Sequence, residues 1–159
     1  MKNLFYLIIG LIIGGLIVYI VTKKNSSVEY FSESQSKNNF EETVAQFEAT
    51  VPKFDGWKIL KTYDLQESMA KSGYKVQPVK VFSLCKPDYS SKILFSNQER
   101  VISSMMPCRV SIYVKTNGKT YISRMNSDDM AAKMGGLVDE VMSAASNDVE
   151  EILKDLIIQ

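Results

Sequence analysis

The chain has 159 residues and a formal net charge of +1, the size of a single domain that can bury about two-thirds of its unfolded surface without a metal or a disulfide. Three of its 19 basic residues flank an apolar N-terminal run, so the rest carries 16 basic against 18 acidic residues and shows no basic stripe typical of nucleic-acid binding. Histidine is absent, which excludes the commonest general base and the commonest metal ligand.

The first predicted element is a membrane anchor, residues 1–24. Asn3 to Thr22 form an uncharged run of 20 residues, about the number that a helix needs to cross ~30 Å of hydrocarbon. The run ends in Lys23 and Lys24 and has no small-residue cleavage site, which favours a permanent single-pass anchor over a cleaved signal peptide. Under the positive-inside rule, the α-amine and Lys2 before the run nearly balance Lys23 and Lys24 after it. We expect the domain to lie outside the cytoplasm, in the cell envelope.

Gly10 and Gly14 in this anchor have the G-x-x-x-G spacing that lets two membrane helices approach closely. The spacing is compatible with a homodimer and equally with a lone anchor. Residues 25–37 follow as a tether rich in Ser and Asn that contains a first strand, Val28 to Ser32, and residues 38–159 form the predicted domain.

The first half of the domain alternates helices and strands. Asn39 lies three residues before Glu42, a capping-box arrangement that begins an amphipathic helix. A strand at Trp57 to Tyr63 and a strand at Val79 to Cys85 flank a short helix near Leu65 to Lys71. Pro87 then opens a helix that runs to Phe95, because proline is well placed in the first turn of a helix.

The strongest local pattern is a β-hairpin that begins at Cys108. Apolar and polar residues alternate to Lys115, and Asn117-Gly118 is the preferred pair for a two-residue type I′ turn. A turn centred on that pair predicts Val110 opposite Met125. A long amphipathic helix, from Val138 to Leu156, closes the chain.

Three stretches resemble successive blocks of the domain of unknown function 302 family: FEETVAQFEATVPKFDGWKILKTYDL, KVFSLCKP and MMPCRVSIYVKTNGKTYISRMN. The resemblance covers about Phe40 to Asn126. It implies an α+β fold, a curled antiparallel sheet with helices packed on one face, similar to the TATA-binding-protein-like sandwich, and it implies no established reaction. Many relatives carry an Asp-His pair where this chain has Asp64-Leu65, so a metal or acid-base role cannot be carried over by analogy.

Cys85 and Cys108 are the residues best suited to carry chemistry, and three interpretations of them remain open. Both can be small apolar residues of a β core. They can form a disulfide, which would contribute ~3 to 4 kcal/mol by closing the intervening loop. Alternatively, Cys85 is a reactive thiol at a helix N-terminus, or the pair forms a soft-metal site. Met105, Met106 and Met125 lie nearby, and thiolate with thioether suits Cu(I) or a haem iron.

A second candidate site is an anion-binding stripe on the outer face of the hairpin. The predicted pairing makes Arg109, Tyr113 and Arg124 project together, and two guanidinium groups beside a phenol can hold a carboxylate or a phosphate. A solvated sheet face or a dimer seam would show the same stripe. The sequence contains no nucleophile triad, phosphate loop or H-E-x-x-H motif, so an enzyme is not the favoured class.

Three functions follow from these candidates. The favoured one is a membrane-anchored binding or assembly module of the cell envelope that holds an unknown protein partner or small ligand, as a monomer or a homodimer. The second is a thiol-redox or soft-metal or haem-binding protein that uses Cys85 and Cys108. The third is an enzyme or a binder for a small anionic ligand at Arg109 and Arg124.

Overall fold

The computed structural model describes residues 30–158, together with Gly14. Apart from Gly14, the predicted anchor, including Gly10, lies outside the described residues, and so does the tether up to residue 29. Within the described part of the chain, no helix is long and apolar enough to cross a membrane.

Five strands and five α-helices make up the described domain, and their types agree with the sequence patterns. In chain order they are β1 Phe31–Gln35, α1 Phe40–Thr50, β2 Lys58–Asp64, α2 Leu65–Lys71, β3 Val79–Cys85, α3 Pro87–Phe95, β4 Cys108–Val114, β5 Thr120–Met125, α4 Ser127–Met134 and α5 Gly136–Leu153. Two 3₁₀ segments, Val51–Lys53 and Glu99–Met105, follow α1 and α3.

The strands form one antiparallel sheet in the order β1-β5-β4-β3-β2. Phe31 pairs with Met125, Leu84 with Cys108, and Lys58 with Cys85, so these strand ends meet at one end of the sheet. This end, defined by Phe31, Lys58, Cys85, Cys108 and Met125, is called the cysteine end below.

Helices α1 and α5 cover one face of the sheet, which confirms the α+β fold with helices on one face. Because side chains alternate along a strand, every second side chain lies on that face, and the side chains buried there are mainly apolar. The main core contains Val44, Phe47, Phe82, Leu84, Val110, Ile112, Ile122, Ala145, Val149, Ile152 and Leu153. Phe47 of α1 meets Phe82 of β3 edge to face, with ring centroids 5.0 Å apart.

Helix α5 extends beyond the cysteine end of the sheet. Its 18 residues rise about 27 Å, whereas six or seven strand residues span ~20 to 24 Å. The chain just after the helix bridges Ser36 through Ile157, which places the C-terminal end of α5 at the opposite end of the sheet. At its N-terminal end, Val138 and Val141 pack with Ile93 of α3 and Ala131 of α4 in a second apolar cluster. Past the cysteine end, these three helices form a small layer of their own.

The hairpin of β4 and β5 exists as predicted, but the predicted register was wrong by one residue. Val110 pairs with Arg124, where the sequence predicted Met125. Because side chains alternate between the faces of a sheet, this shift moves every side chain of β5 to the face opposite the predicted one. Arg124 therefore lies on the helix-covered face, away from Arg109 and Tyr113.

The turn explains the shift. The Gly118 N–H donates to the Lys115 carbonyl at 2.9 Å, and the Lys115 N–H donates to the Lys119 carbonyl at 3.0 Å. Thr116 and Asn117 are thus the central residues of the turn, and Gly118 follows in the left-handed region with φ 76°. This is a three-residue hairpin loop with a glycine bulge, the alternative to the two-residue turn that an Asn-Gly pair also indicates.

Candidate functional site

A cleft lies at the cysteine end, between the ends of β3 and β4, helix α3, the 3₁₀ segment Glu99–Met105 and α5. We call it the cysteine cleft, because its lining residues include both cysteines and four methionines: Cys85, Cys108, Met105, Met106, Met125 and Met142. The cavity measures about 70 Å³. It has room for a few water molecules or one ion.

Cys85 is the last residue of β3 and lies just ahead of α3, as the sequence indicated. Pro87 fixes the first turn of that helix, since its missing N–H would have no partner there. The Cys85 Sγ lies 3.1 Å from the Ser90 hydroxyl oxygen, one turn into α3. The thiol is half-buried, and this contact holds it next to the N-terminal end of the helix.

Cys108 begins β4 and packs against the main core. Its burial, together with the nearby Cys85 sulfur, raises the pKa of the Cys108 thiol from 9.0 to about 11. Cys108 is therefore a neutral thiol at physiological pH. Both cysteines are free in the structure.

The four methionines reach the cleft from different elements. Met105 and Met106 come from the end of the 3₁₀ segment, Met125 ends β5 and Met142 lies on α5. The sequence indicated the first three by their nearness to Cys108, but it missed Met142. In the sequence, Met142 occupies an ordinary position of an amphipathic helix, and only tertiary packing brings it to the cleft. Among residues 30–158, no three His, Cys, Asp or Glu side chains come together as metal ligands. Thioether sulfur is the further soft donor that the lining of the cleft offers beside the cysteines.

A polar cluster borders the cleft next to Cys85. The Lys86 Nζ donates to Asp148 Oδ2 at 3.0 Å and lies 4.4 Å from the centroid of the Tyr89 ring. Trp57 Nε1 donates to the same carboxylate oxygen at 2.8 Å. Burial alone would raise the pKa of Asp148, but the hydrogen bonds from Trp57 and Lys86 outweigh it and hold that pKa below its usual value. Sequence reasoning missed this cluster, because its members are separated by up to 91 positions.

Arg124 lines the cleft from the sheet side, and its side chain is only 10% exposed. Its Nε and Nη2 donate to the two carboxylate oxygens of Glu150, each at 2.6 Å, and Nη1 donates to the Ser34 hydroxyl at 2.9 Å. All of these contacts lie on the helix-covered face. The guanidinium is therefore committed to a carboxylate of α5, in the bidentate geometry that stabilises a buried arginine.

The predicted grouping of Arg109, Tyr113 and Arg124 does not assemble, because the register places Arg124 on the other face. Arg109 is exposed at the edge of the cleft. Tyr113 lies on the outer face, outside the cleft, where its hydroxyl donates to the Glu33 carboxylate. Burial and this acid raise the pKa of Tyr113 to about 12.

Comparison with known proteins agrees with this fold. A family model described as "Domain of unknown function DUF302" matches residues 32–158. Among solved structures, the chain is similar to that titled "Crystal structure of uncharacterized conserved protein DUF302 from Bacillus stearothermophilus", with a TM-score of 0.71 and 17% identity, over 81% of this chain and 99% of that chain. At this identity the likeness concerns the fold alone. No curated protein matches the chain.

Proposed function

Since the chain belongs to the DUF302 family, whose description assigns no activity, we propose a function from its own geometry: a membrane-anchored binding module of the cell envelope whose ligand site is the cysteine cleft. The uncharged run from Asn3 to Thr22 supports the anchor. The ligand that fits the cleft best is a single soft metal ion, Cu(I).

The observation that carries this proposal is that two cysteines and four methionines line one cavity of about 70 Å³. Methionines commonly fill core gaps, but these come from three separate parts of the chain and line the same space as both cysteines. Soft thiolate and thioether ligands select Cu(I), and the chain has no histidine to favour harder metals.

The size of the cavity favours one of the two cofactors that the sequence indicated. Pockets for organic ligands and cofactors usually measure ~300 to 1,000 Å³. The cysteine cleft is several times smaller, so it suits one ion and does not favour haem. Metal binding would displace the proton of Cys108, since a coordinating thiol is deprotonated.

The test is a Cu(I) titration of the full-length chain in detergent, without oxygen, against a colorimetric Cu(I) chelator. We expect one Cu(I) per chain. Cys85→Ser and Cys108→Ala should each weaken binding by about 100-fold or more, because losses of outer-shell contacts alone reach 10- to 100-fold. Met69→Leu is the matched control, since Met69 lies on α2 outside the cleft, and it should leave affinity unchanged.

Two results would reject the metal site. One is the absence of Cu(I) binding to the wild-type chain. The other is equal affinity of the wild type and Cys85→Ser, with circular dichroism showing that both are folded.

Thiol-redox activity is the second candidate, favoured by two free thiols that line one cavity. Leu84, next to Cys85, pairs with Cys108, so the two cysteines lie on neighbouring strands. The raised pKa of Cys108 disfavours it as the attacking thiolate, which leaves Cys85 for that role. Mass spectrometry of the protein, alkylated directly from cells, separates the two candidates. A bridged fraction that falls on adding reductant favours redox activity, and two alkylated thiols favour the metal site.

The anchor has its own test. Membranes that contain the full-length chain are washed with alkaline carbonate, which strips peripheral proteins. We expect the chain to stay in the pellet, and its release into the supernatant would reject the anchor. Digestion of the domain by protease added to spheroplasts would support its placement outside the cytoplasm.

A further inference from the structure

An exposed apolar corner follows helix α3. Phe95 is 84% exposed, Val101 is 73% exposed and Leu94 is 41% exposed. We call these three residues the α3 corner. The Arg100 guanidinium donates to the Leu94 carbonyl at 2.9 and 3.1 Å, which ties the helix end to the 3₁₀ segment and gives the corner a defined shape. Grouped apolar side chains at such exposure are typical of an interaction site.

The corner lies beyond the cysteine end of the sheet. Helix α3 starts next to Cys85, and Ile93, near its C-terminal end, packs with Val138 and Val141 at the start of α5. That part of α5 overhangs the sheet. The two residues after Ile93 therefore lie on the same side of the molecule as the cysteine cleft.

The chain enters the domain at this same end. Tyr30 precedes β1 and is 55% exposed, and Phe31, which pairs with Met125, is 64% exposed. Only residues 25–29 separate Lys24 from Tyr30, and five fully extended residues cover at most about 18 Å. That reach is shorter than the ~30 Å diameter of a small domain. An anchor in residues 1–24 therefore keeps Tyr30, at the cysteine end, within about 18 Å of the bilayer.

We infer that the α3 corner rests in the surface of the lipid bilayer, with Tyr30 and Phe31 at the level of the headgroups. The inference rests on the membrane anchor of the proposed function. Tyrosine is enriched at that level because its ring is amphipathic. Arg100 and Glu99 balance each other at the corner, so apolar insertion supplies the attraction and zwitterionic lipid suffices.

A second exposed apolar group lies far from the point where the chain enters the domain. Met69, Tyr74 and Val76 lie between β2 and β3, at the end of the sheet opposite the cysteine end. Tyr74 is 65% exposed, so exposure alone does not distinguish the two groups. The short tether distinguishes them, because it holds the cysteine end nearest to the membrane. Docking in this orientation also places the cysteine cleft in the half of the domain nearest the bilayer.

The test compares two tryptophan variants of the full-length chain, Phe95→Trp and Tyr74→Trp, both of which keep the buried Trp57. Each is reconstituted into phosphatidylcholine vesicles with and without bromine on the acyl chains, which quenches tryptophan at the membrane. We expect quenching of Phe95→Trp to exceed that of Tyr74→Trp at least threefold, with Tyr74→Trp equal to the wild type. Both positions are exposed, so neither substitution disturbs the core.

A carbonate wash of the same vesicles separates the two ways in which the inference can fail. Release of the chain by the wash would reject the anchor and this inference together. Retention of the chain, with equal quenching of both variants, would reject the docking of the α3 corner and leave the anchor standing.

Discussion

The guanidinium of Arg124 is almost wholly buried beside the cysteine cleft, and both oxygens of Glu150 balance its charge. Removing one partner of such a pair leaves the other charge buried without compensation. We expect Glu150→Ala to lower the free energy of unfolding by about 2 to 3 kcal/mol, below the value for a fully buried pair because Glu150 is partly exposed. Urea denaturation measures this difference.

Glu151→Ala is the control. Glu151 pairs with Lys154 at 2.9 Å, and both side chains are more than half exposed, so the loss should stay below about 0.5 kcal/mol. Equal losses from the two neighbouring substitutions would contradict the buried role of Arg124.

The thiol of Cys108 makes stability depend on alkaline pH. Its pKa is about 11 in the folded protein and 9.0 ordinarily, so the folded state holds the proton more tightly. The resulting stabilisation of the folded state is complete below pH 9. It is lost as pH rises toward 11, because the thiol then ionises in the unfolded chain and lowers the free energy of the unfolded state. Two pKa units correspond to about 3 kcal/mol as an upper bound.

The measurement is the free energy of unfolding of the wild type and of Cys108→Ala between pH 7 and 11. We expect the wild type to lose more stability over this range. Tyr113 also has a raised pKa, of about 12, but it is present in both proteins, so its effect on stability cancels in the difference. Parallel curves would contradict the buried thiol.

At the scale of elements, the turn between β4 and β5 depends on Gly118. Its φ of 76° lies where a Cβ is strained, so we expect Gly118→Ala to destabilise the domain by about 1 kcal/mol or more. Thr116→Ala, in the same turn but at a position without positive φ, should change stability by less than about 0.5 kcal/mol. The two variants are compared by urea denaturation, and similar losses would contradict the left-handed conformation of Gly118.

Elements with local signals were predictable from the sequence. The Asn39 side chain accepts a hydrogen bond from the Glu42 N–H at 2.9 Å, as the capping pattern indicates. Pro87 likewise marks the start of α3. These signals act within one helical turn, so distant parts of the chain do not alter them.

The register of β5 was not predictable in the same way. An Asn-Gly pair suits two turns that differ by one residue, and β5 carries large side chains on both faces, with Tyr121 on one and Ile122 on the other. Neither face is clearly apolar, so the pattern did not choose between the turns. The position of Arg124, and with it the anion-binding hypothesis, depended on that choice.

At the scale of the whole molecule, the site arises from the length of α5. The helix is longer than the strands that it covers, and its overhang packs with α3 and α4 past the cysteine end. The cysteine cleft lies where this layer meets the strand ends. Met142 and the Trp57, Lys86 and Asp148 cluster reach it only through this packing, which is why the sequence alone did not place them there.

The most direct test of the central claim is X-ray absorption spectroscopy at the copper edge, on the full-length chain loaded with one equivalent of Cu(I). We predict a first coordination shell made of sulfur alone, with fewer sulfur ligands in Cys85→Ser. A first shell of nitrogen or oxygen, or a sulfur shell whose ligand number and distances are unchanged in Cys85→Ser, would contradict the assignment of the cysteine cleft as the ligand site.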